Sequence, residues 1–276
     1  MDRDDPSYKG QAGYNPFLLA VYDPFVLGFM ARAVWRCPIL PVVERYRRLI
    51  GRRHLDIGPG TGYFLEKAAP PVGTEITLLD PNPNVLAHAS RRLAAMDPIT
   101  VEADVMKPLP VEGRFDSAAF SFVLHCLRGP QSHKAAAIRN IADVLTPDGV
   151  LFGGTVLGLA ERHTPQARAV LRAFNWHGDF DNLGDTAEGL RRILEESFEA
   201  VEVDVIGSTA HFTATDPRPA EERNRLDDRA SVAPTDVVST SARRPGFRLP
   251  PNSRGARPSA HASAELRPTE ISPFER

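Results

Sequence analysis

Cysteine is nearly missing from this chain: Cys37 and Cys126 are the only two among 276 residues, and they lie far apart. Two isolated thiols supply neither a disulfide framework nor a cysteine-based metal cluster. The expectation is a pair of reduced thiols in a cytoplasmic protein without a metal site. An excess of charge of one sign is missing as well. The formal net charge of −2 gives no general pull toward DNA, RNA or an anionic membrane, which argues against nucleic acid as a partner. Long apolar runs are also wanting. The stretch 17–31 is broken by Asp23-Pro24, is followed closely by Arg32 and Arg36, and falls short of the roughly 20 residues that a membrane span needs. The opening MDRDDPSYKG is acidic and polar, unlike a secretory leader.

What the chain does contain is an ordinary globular balance, 42% hydrophobic and 25% charged. Three regions differ in composition. Residues 1–48 are rich in aromatics and read as a helical N-terminal cover. Residues 49–216 alternate short apolar runs with helical patterns. Residues 217–276 are dominated by Pro, Arg, Ser, Ala and Glu and bury too little apolar surface to offset ordering, so they read as a disordered tail.

The middle region reads strand, helix, strand, helix. Strands are expected at 53–57, 75–79, 99–102, 115–120 and 150–155, with helices near 63–69, 84–96 and 131–145. Thr146-Pro147-Asp148-Gly149 reads as a turn after the third of these helices. Such alternation implies an α/β fold: a Rossmann-like, doubly wound, mostly parallel sheet. Two strands in quick succession, 199–205 and 209–215, suit an antiparallel hairpin at the C-terminal edge.

The strongest local signal is His54-Leu55-Asp56-Ile57-Gly58-Pro59-Gly60-Thr61-Gly62. A strand ends in an acid, and three glycines then fall on alternate positions before a helix. Glycine permits the turn and lets backbone approach a ligand closely. The next strand ends in Asp80-Pro81-Asn82, where a carboxylate can accept the hydroxyls of a ribose. The third is followed by Asp104-Val105, an acid for an adenine amino group beside an apolar neighbour. Three such elements at one end of a parallel sheet make a nucleoside site.

This pattern resembles the class I S-adenosylmethionine-dependent methyltransferase superfamily, whose acid-G-x-G-x-G signature appears here as DIGPGTG. The resemblance extends over about 50–216 and includes FDSAAFSFVLHCL (115–127) and LTPDGVLFGGTVL (145–157). It implies S-adenosyl-L-methionine as cofactor and methyl transfer to a small organic acceptor, such as a secondary metabolite. It also implies that Asp56, Gly58, Gly60 and Gly62 lie against the methionine moiety. Asp80, with Pro81, would then bind ribose, and Asp104 with Val105 the adenine, while Ser121 and Phe122 sit beside the cofactor at the end of strand four.

Two competing readings are a nicotinamide dehydrogenase and a catalytically inactive, methyltransferase-like binding module. The first expects G-x-G-x-x-G, a spacing this turn does not have. The acceptor atom stays open among O, N, C and S. The D/N/S-P-P-Y/F run of many exocyclic-nitrogen methyltransferases is replaced by Ser121-Phe122-Val123-Leu124, and no acidic and amide cluster for a metal is visible. Two aromatic segments read as pocket walls for a small, partly apolar acceptor. One is 14–35, with Tyr22, Phe25, Phe29 and Trp35. The other is 174–180, with Trp176 and His177. His125 follows strand four where the methyl should emerge; it reads as a cap or structural histidine or else as an acid–base group, with Tyr22 and His177 the other candidates for that role.

Overall fold

The structure, a computed structural model, describes residues 30–159 and 161–223. The N-terminal positions Tyr22, Phe25 and Phe29 and the tail from 224 onward lie outside the described residues. A π-helical turn at 30–34 leads into α1 (Ile39–Leu49). The chain then runs β1 (Arg53–Ile57), α2 (Tyr63–Ala68), β2 (Glu75–Asp80), α3 (Pro83–Arg92), β3 (Ile99–Glu102) and β4 (Phe115–Ser121). It continues with α4 (Ala135–Asp143), β5 (Leu145–Val156), α5 (Pro165–His177), α6 (Ala187–Glu195), β6 (Phe198–Ile206) and β7 (Thr209–Pro217).

The seven strands form one sheet in the order β3-β2-β1-β4-β5-β7-β6. β1, β2, β3, β4 and β5 pair in parallel, whereas β7 pairs antiparallel with both β5 and β6. The expected C-terminal hairpin is therefore present, with β7 inserted between β5 and β6. Strand order reverses between β1 and β4, so the crevice at the C-terminal ends of these strands is the position where open α/β sheets bind ligands.

Both faces of the sheet are covered, which is why the parallel strands read as nearly continuous apolar runs. Ile138 and Ile141 of α4 and Leu190, Ile193 and Leu194 of α6 pack on one face against Leu55, Phe120, Leu151 and Phe212. Tyr46 of α1, Leu65 of α2, Leu86 of α3 and Leu171 of α5 pack on the other face against Leu78, Ala119 and Phe152. Met30, Val34 and Trp35 join this second core.

Two local readings change. Thr146-Pro147-Asp148-Gly149 is a bulge within the bounds of β5 rather than a turn before it. Leu145 already pairs with Phe115, and pairing resumes at Val150 opposite Ser117. The ordered chain also passes the expected boundary at 216. β7 ends at Pro217, the Arg218 N–H donates to Ser197 O at 2.8 Å, and the buried Arg223 guanidinium ion-pairs with Asp143.

Candidate functional site

The glycine turn links β1 to α2 across the switch point. Gly58 N–H donates to Leu79 O at 2.8 Å, and Gly62 N–H donates to Pro59 O at 2.9 Å, so the turn is tied to β2 and to itself. Gly58 and Gly60 have φ of +65° and +56°, a region that side chains strongly disfavour. Their surroundings differ. A Cβ on Gly58 would overlap the Val123 side chain, whereas a Cβ on Gly60 would meet nothing within 4 Å. Gly58 is thus required by the close approach of the loop after β4. Gly60 faces open room in front of the α2 N-terminus.

Three carboxyls lie at or just past the C-terminal ends of the neighbouring strands β1, β2 and β3. Asp56 is buried, and the Tyr46 hydroxyl donates to its Oδ1 at 3.5 Å. Burial pushes the Asp56 carboxyl up to about 8. Asp80 is partly buried and accepts the Asn82 N–H on Oδ1 at 2.7 Å, leaving its second oxygen without a partner among the described residues. Burial raises it to about 7. Pro81 follows it, half-buried, and Asn82 caps α3 by accepting the Asn84 N–H. Asp104 is half-buried and closes a local turn by accepting the Met106 N–H at 2.9 Å. The Val105 side chain packs into the core, and its carbonyl accepts from Asn140 at 2.9 Å.

β4 delivers the next group. Ser121 Oγ is buried beside the Tyr46 hydroxyl with no hydrogen bond at bonding geometry. The following residue, Phe122, has φ of +61°, an outlier for a bulky side chain that costs on the order of 1–2 kcal/mol. Its N–H donates to Gly154 O at 2.6 Å, holding the kink against β5. The kink places Val123 over Gly58 and turns His125 toward the end of β5.

His125 is buried, 4% exposed. Its Nδ1 accepts the Val156 N–H at 3.3 Å, with the Thr155 hydroxyl also at 3.3 Å. Accepting from a backbone N–H requires a bare Nδ1, so the proton resides on Nε2. Nε2 has no partner among the described residues. Burial, with the nearby Lys134 charge, lowers the imidazole to about 3. Burial thus favours the neutral imidazole with its proton on Nε2.

Around it stand aromatic rings. Phe180 lies edge-on at 4.2 Å from the His125 ring, and Phe122 lies at 6.5 Å. Phe174 and Trp35 pack on Phe180 at 4.9 and 6.3 Å. Trp176 and His177 are not part of this wall. The inward stripe of α5 is Ala167, Leu171 and Phe174, and this phase turns Trp176 outward, 89% exposed. His177 is likewise turned to solvent and pairs with Asp179. The aromatics that do face inward, Phe174 and Phe180, flank those two in sequence. Helical phase separates Phe174 from Trp176, whereas Phe180 lies beyond the end of α5. Tyr46 was also missed, although its spacing from Val42 and Val43 marks the buried face of α1.

A Rossmann-like sheet with a glycine turn, carboxyls after β1, β2 and β3, and a kinked β4 terminus defines a nucleoside-binding enzyme of the methyltransferase class. Residues 55–151 match the methyltransferase domain family. The chain is 41% identical over 199 residues to a demethylluteothin O-methyltransferase of Streptomyces thioluteus, covering 71% of this chain and 86% of that protein. It is 38% identical over 224 residues to a physcion biosynthesis cluster O-methyltransferase of Aspergillus chevalieri, covering 79% of this chain and all of the relative. Among solved structures, an O-methyltransferase family protein from Burkholderia thailandensis superposes with a TM-score of 0.56 at 16% identity, over 78% of this chain and 63% of that one. The chain belongs to the class I S-adenosylmethionine-dependent methyltransferase family. It is an enzyme that transfers a methyl group from S-adenosylmethionine to a small-molecule acceptor. Among the described residues, no helix is long and apolar enough to cross a membrane, and no acidic, histidine or cysteine cluster suits a metal ion.

Proposed function

We propose that this enzyme O-methylates an acidic hydroxyl, an enol or a phenol, on a ring-bearing secondary metabolite, with His125 holding the acceptor oxygen. The observation that carries the reading is the unpartnered Nε2–H of His125, set among Phe122, Phe174, Phe180 and Trp35. Two relatives bear O-methyltransferase names tied to demethylluteothin and to physcion biosynthesis, which supports oxygen as the acceptor atom.

The residues present fit the cofactor: Gly60 opens onto free room, Ser121 Oγ is orphaned, and Asp80 keeps one oxygen spare. In this reading Asp80, beside Pro81, takes the ribose hydroxyls, Asp104 and the Val105 backbone take the adenine edge, and Asp56 lies behind the methionine end with Gly58, Gly60, Gly62 and Ser121. When bound, S-adenosylmethionine supplies a methyl already activated on a sulfonium, so the protein's task is to orient and desolvate the acceptor.

Proton handling follows from the two histidines nearest Phe122. His125 and His211, at about 3 and about 4, take up no proton at neutral pH. The acceptor hydroxyl therefore loses its proton to water, and the Nε2–H stabilises the resulting oxyanion through a charge-assisted hydrogen bond. Tyr22, Phe25 and Phe29 lie outside the described residues and are kept as proposed acceptor contacts. The two free cysteines, Cys37 and Cys126, suit a cytoplasmic setting, and the net charge of −2 suits a small-molecule rather than nucleic-acid partner.

The test is a screen of hydroxypyrones and hydroxyanthraquinones of graded acidity with labelled S-adenosylmethionine. Oxygen-methylated products, with turnover rising as the acceptor hydroxyl becomes more acidic at fixed pH, are expected. Exclusive methylation of nitrogen or carbon would sink the assignment.

A further inference from the structure

The segment between α5 and α6, residues 178–185, has no regular secondary structure, yet it is bonded inward along most of its length. Asp181 N–H donates to His125 O at 2.8 Å, and Gly129 N–H donates to the Asp181 carboxylate at 2.9 Å. Asn182 Nδ2 donates to Val156 O at 2.8 Å, Asn182 Oδ1 accepts from Asn175 Nδ2 at 3.0 Å, and the Asn182 backbone N–H donates to Asn175 Oδ1 at 3.0 Å. Gly158 N–H donates to Asp185 O at 2.6 Å.

At the centre is Lys134, whose side chain is fully buried. Its ammonium donates to Asp181 O and to Asp185 Oδ2, both at 2.7 Å. A buried ion pair is a poor device for stability, because desolvating two charges offsets most of their attraction and an apolar pair of similar size commonly does as well. What such a pair does supply is a single register. Here it joins the segment after β4 to the segment that carries Phe180, and Phe180 is the ring set against His125.

We propose that Lys134, Asp185 and Asn182 are positioning residues for the acceptor pocket, fixing Phe180 and His125 relative to one another without touching the acceptor themselves. The inference rests on the assignment of the His125–Phe180 pocket to the acceptor. It makes this wall a rigid template whose register sets which ring systems fit, and it assigns no motion to the segment. The groups facing the Lys134 ammonium are Asp185, the Asp181 carbonyl and, more distantly, His125 and the Cys126 thiol.

The experiment uses the full chain and the double variant Lys134→Met/Asp185→Leu, which removes both charges and orphans neither. Asn182→Ser, which leaves the ion pair intact, is the second variant. Three readouts are taken: S-adenosylhomocysteine affinity, kcat and KM for whichever hydroxypyrone or hydroxyanthraquinone turns over, and the imidazole NMR signals of His125. Both variants are expected to bind S-adenosylhomocysteine within about threefold of the parent. Acceptor kcat/KM should fall at least tenfold, mostly through KM. The His125 signals should shift and broaden as the Phe180 ring loses its fixed place. A parent-like His125 spectrum and parent-like acceptor kinetics in either folded variant overturn the proposal, because a purely structural bridge would give that result. Phe180→Ala and His125→Ala distinguish the other failure. If these two also leave acceptor kinetics untouched, the pocket is misassigned, while the spectrum still reports on the positioning. Should the double variant fail to fold, the spectrum and kinetics of Asn182→Ser decide, and with no acceptor in hand the spectra decide.

Discussion

Replacing Asp80 by Asn separates the charge of this carboxyl from its shape. Asn keeps an oxygen for the Asn82 N–H, so the cap of α3 survives, and the fold should lose little. What is lost is the spare carboxylate oxygen. Two charge-assisted hydrogen bonds to ribose hydroxyls contribute roughly 1.5–3 kcal/mol each, and a neutral amide recovers part of that. A net loss of about 2–4 kcal/mol corresponds to a roughly 30- to 1,000-fold weaker complex. Protonation adds a second signature. With the Asp80 carboxyl at about 7, its ionised fraction rises from about a tenth at pH 6 to about nine tenths at pH 8. The hydroxyls donate, so binding favours the ionised form, and affinity should increase roughly tenfold over that interval. The Asn variant should lack this part of the slope and keep only what Asp56, at about 8, contributes. Titration calorimetry with S-adenosylhomocysteine at pH 6, 7 and 8, with melting curves alongside, reads both effects. Equal affinity in a folded Asn variant, or an unchanged pH slope, refutes the placement of the ribose on Asp80.

His125→Phe should fold, bind S-adenosylhomocysteine normally and lose about 10–1,000-fold in kcat, with the pH profile of the parent tracking the acceptor's own acidity. A parent limb near pH 6.5 that disappears in the variant would instead make His125 a base. Gly60→Ala meets no atom of the fold, so melting should change only by the left-handed cost of about 1–2 kcal/mol, while cofactor affinity drops because the methyl occupies the free room; normal affinity would place the cofactor elsewhere. Ending the chain after Asp216 should lower the melting temperature by several degrees through loss of the Arg223–Asp143 pair, whereas ending it after residue 223 should not; equal melting of both would show that pair to be idle. Trp176→Ala should leave acceptor kinetics within about twofold, since its ring faces solvent; a marked rise in KM would return it to the pocket.

The architecture was legible because its signals are short-range and repeated. The inner parallel strands β1, β2, β4 and β5 are buried on both faces and read as apolar runs, and the hairpin 198–206/209–217 announces itself by its two-residue turn. The carboxyls stood out for the same reason: each lies at or just past the end of a strand. What escaped depends on contacts between segments distant in sequence. Nothing in the neighbourhood of His125 tells that Val156, 31 residues on, will donate to its Nδ1 and fix its tautomer. Nothing near Lys134 tells that it will be buried against Asp185. The bulge at 146–149 looked like a turn because Pro-Asp-Gly serves both, and only pairing with Phe115 decides between them.

The departures from local comfort at the switch point have a common sense. Asp56 and Asp80 are carboxyls whose folded pKa lies above the unfolded value, so the folded state binds more protons than the unfolded one between about pH 4 and 8. Stability contributed by these groups is present below pH 4 and is lost as pH rises toward 8, the reverse of a salt-bridged acid. At neutral pH the fold carries that cost together with the left-handed backbone of Phe122 and the orphaned Ser121 hydroxyl. In the proposed cofactor site, a nucleoside with an ammonium group would relieve each defect: hydroxyl donors for Asp80, positive charge for Asp56, a polar neighbour for Ser121. The kink at Phe122 is what brings His125 to the far side of the same crevice. A stability cost concentrated where ligand groups of complementary chemistry would remove it distinguishes a binding site from a poorly packed corner, and here it lies along one line from Asp80 through Asp56 and Ser121 to His125.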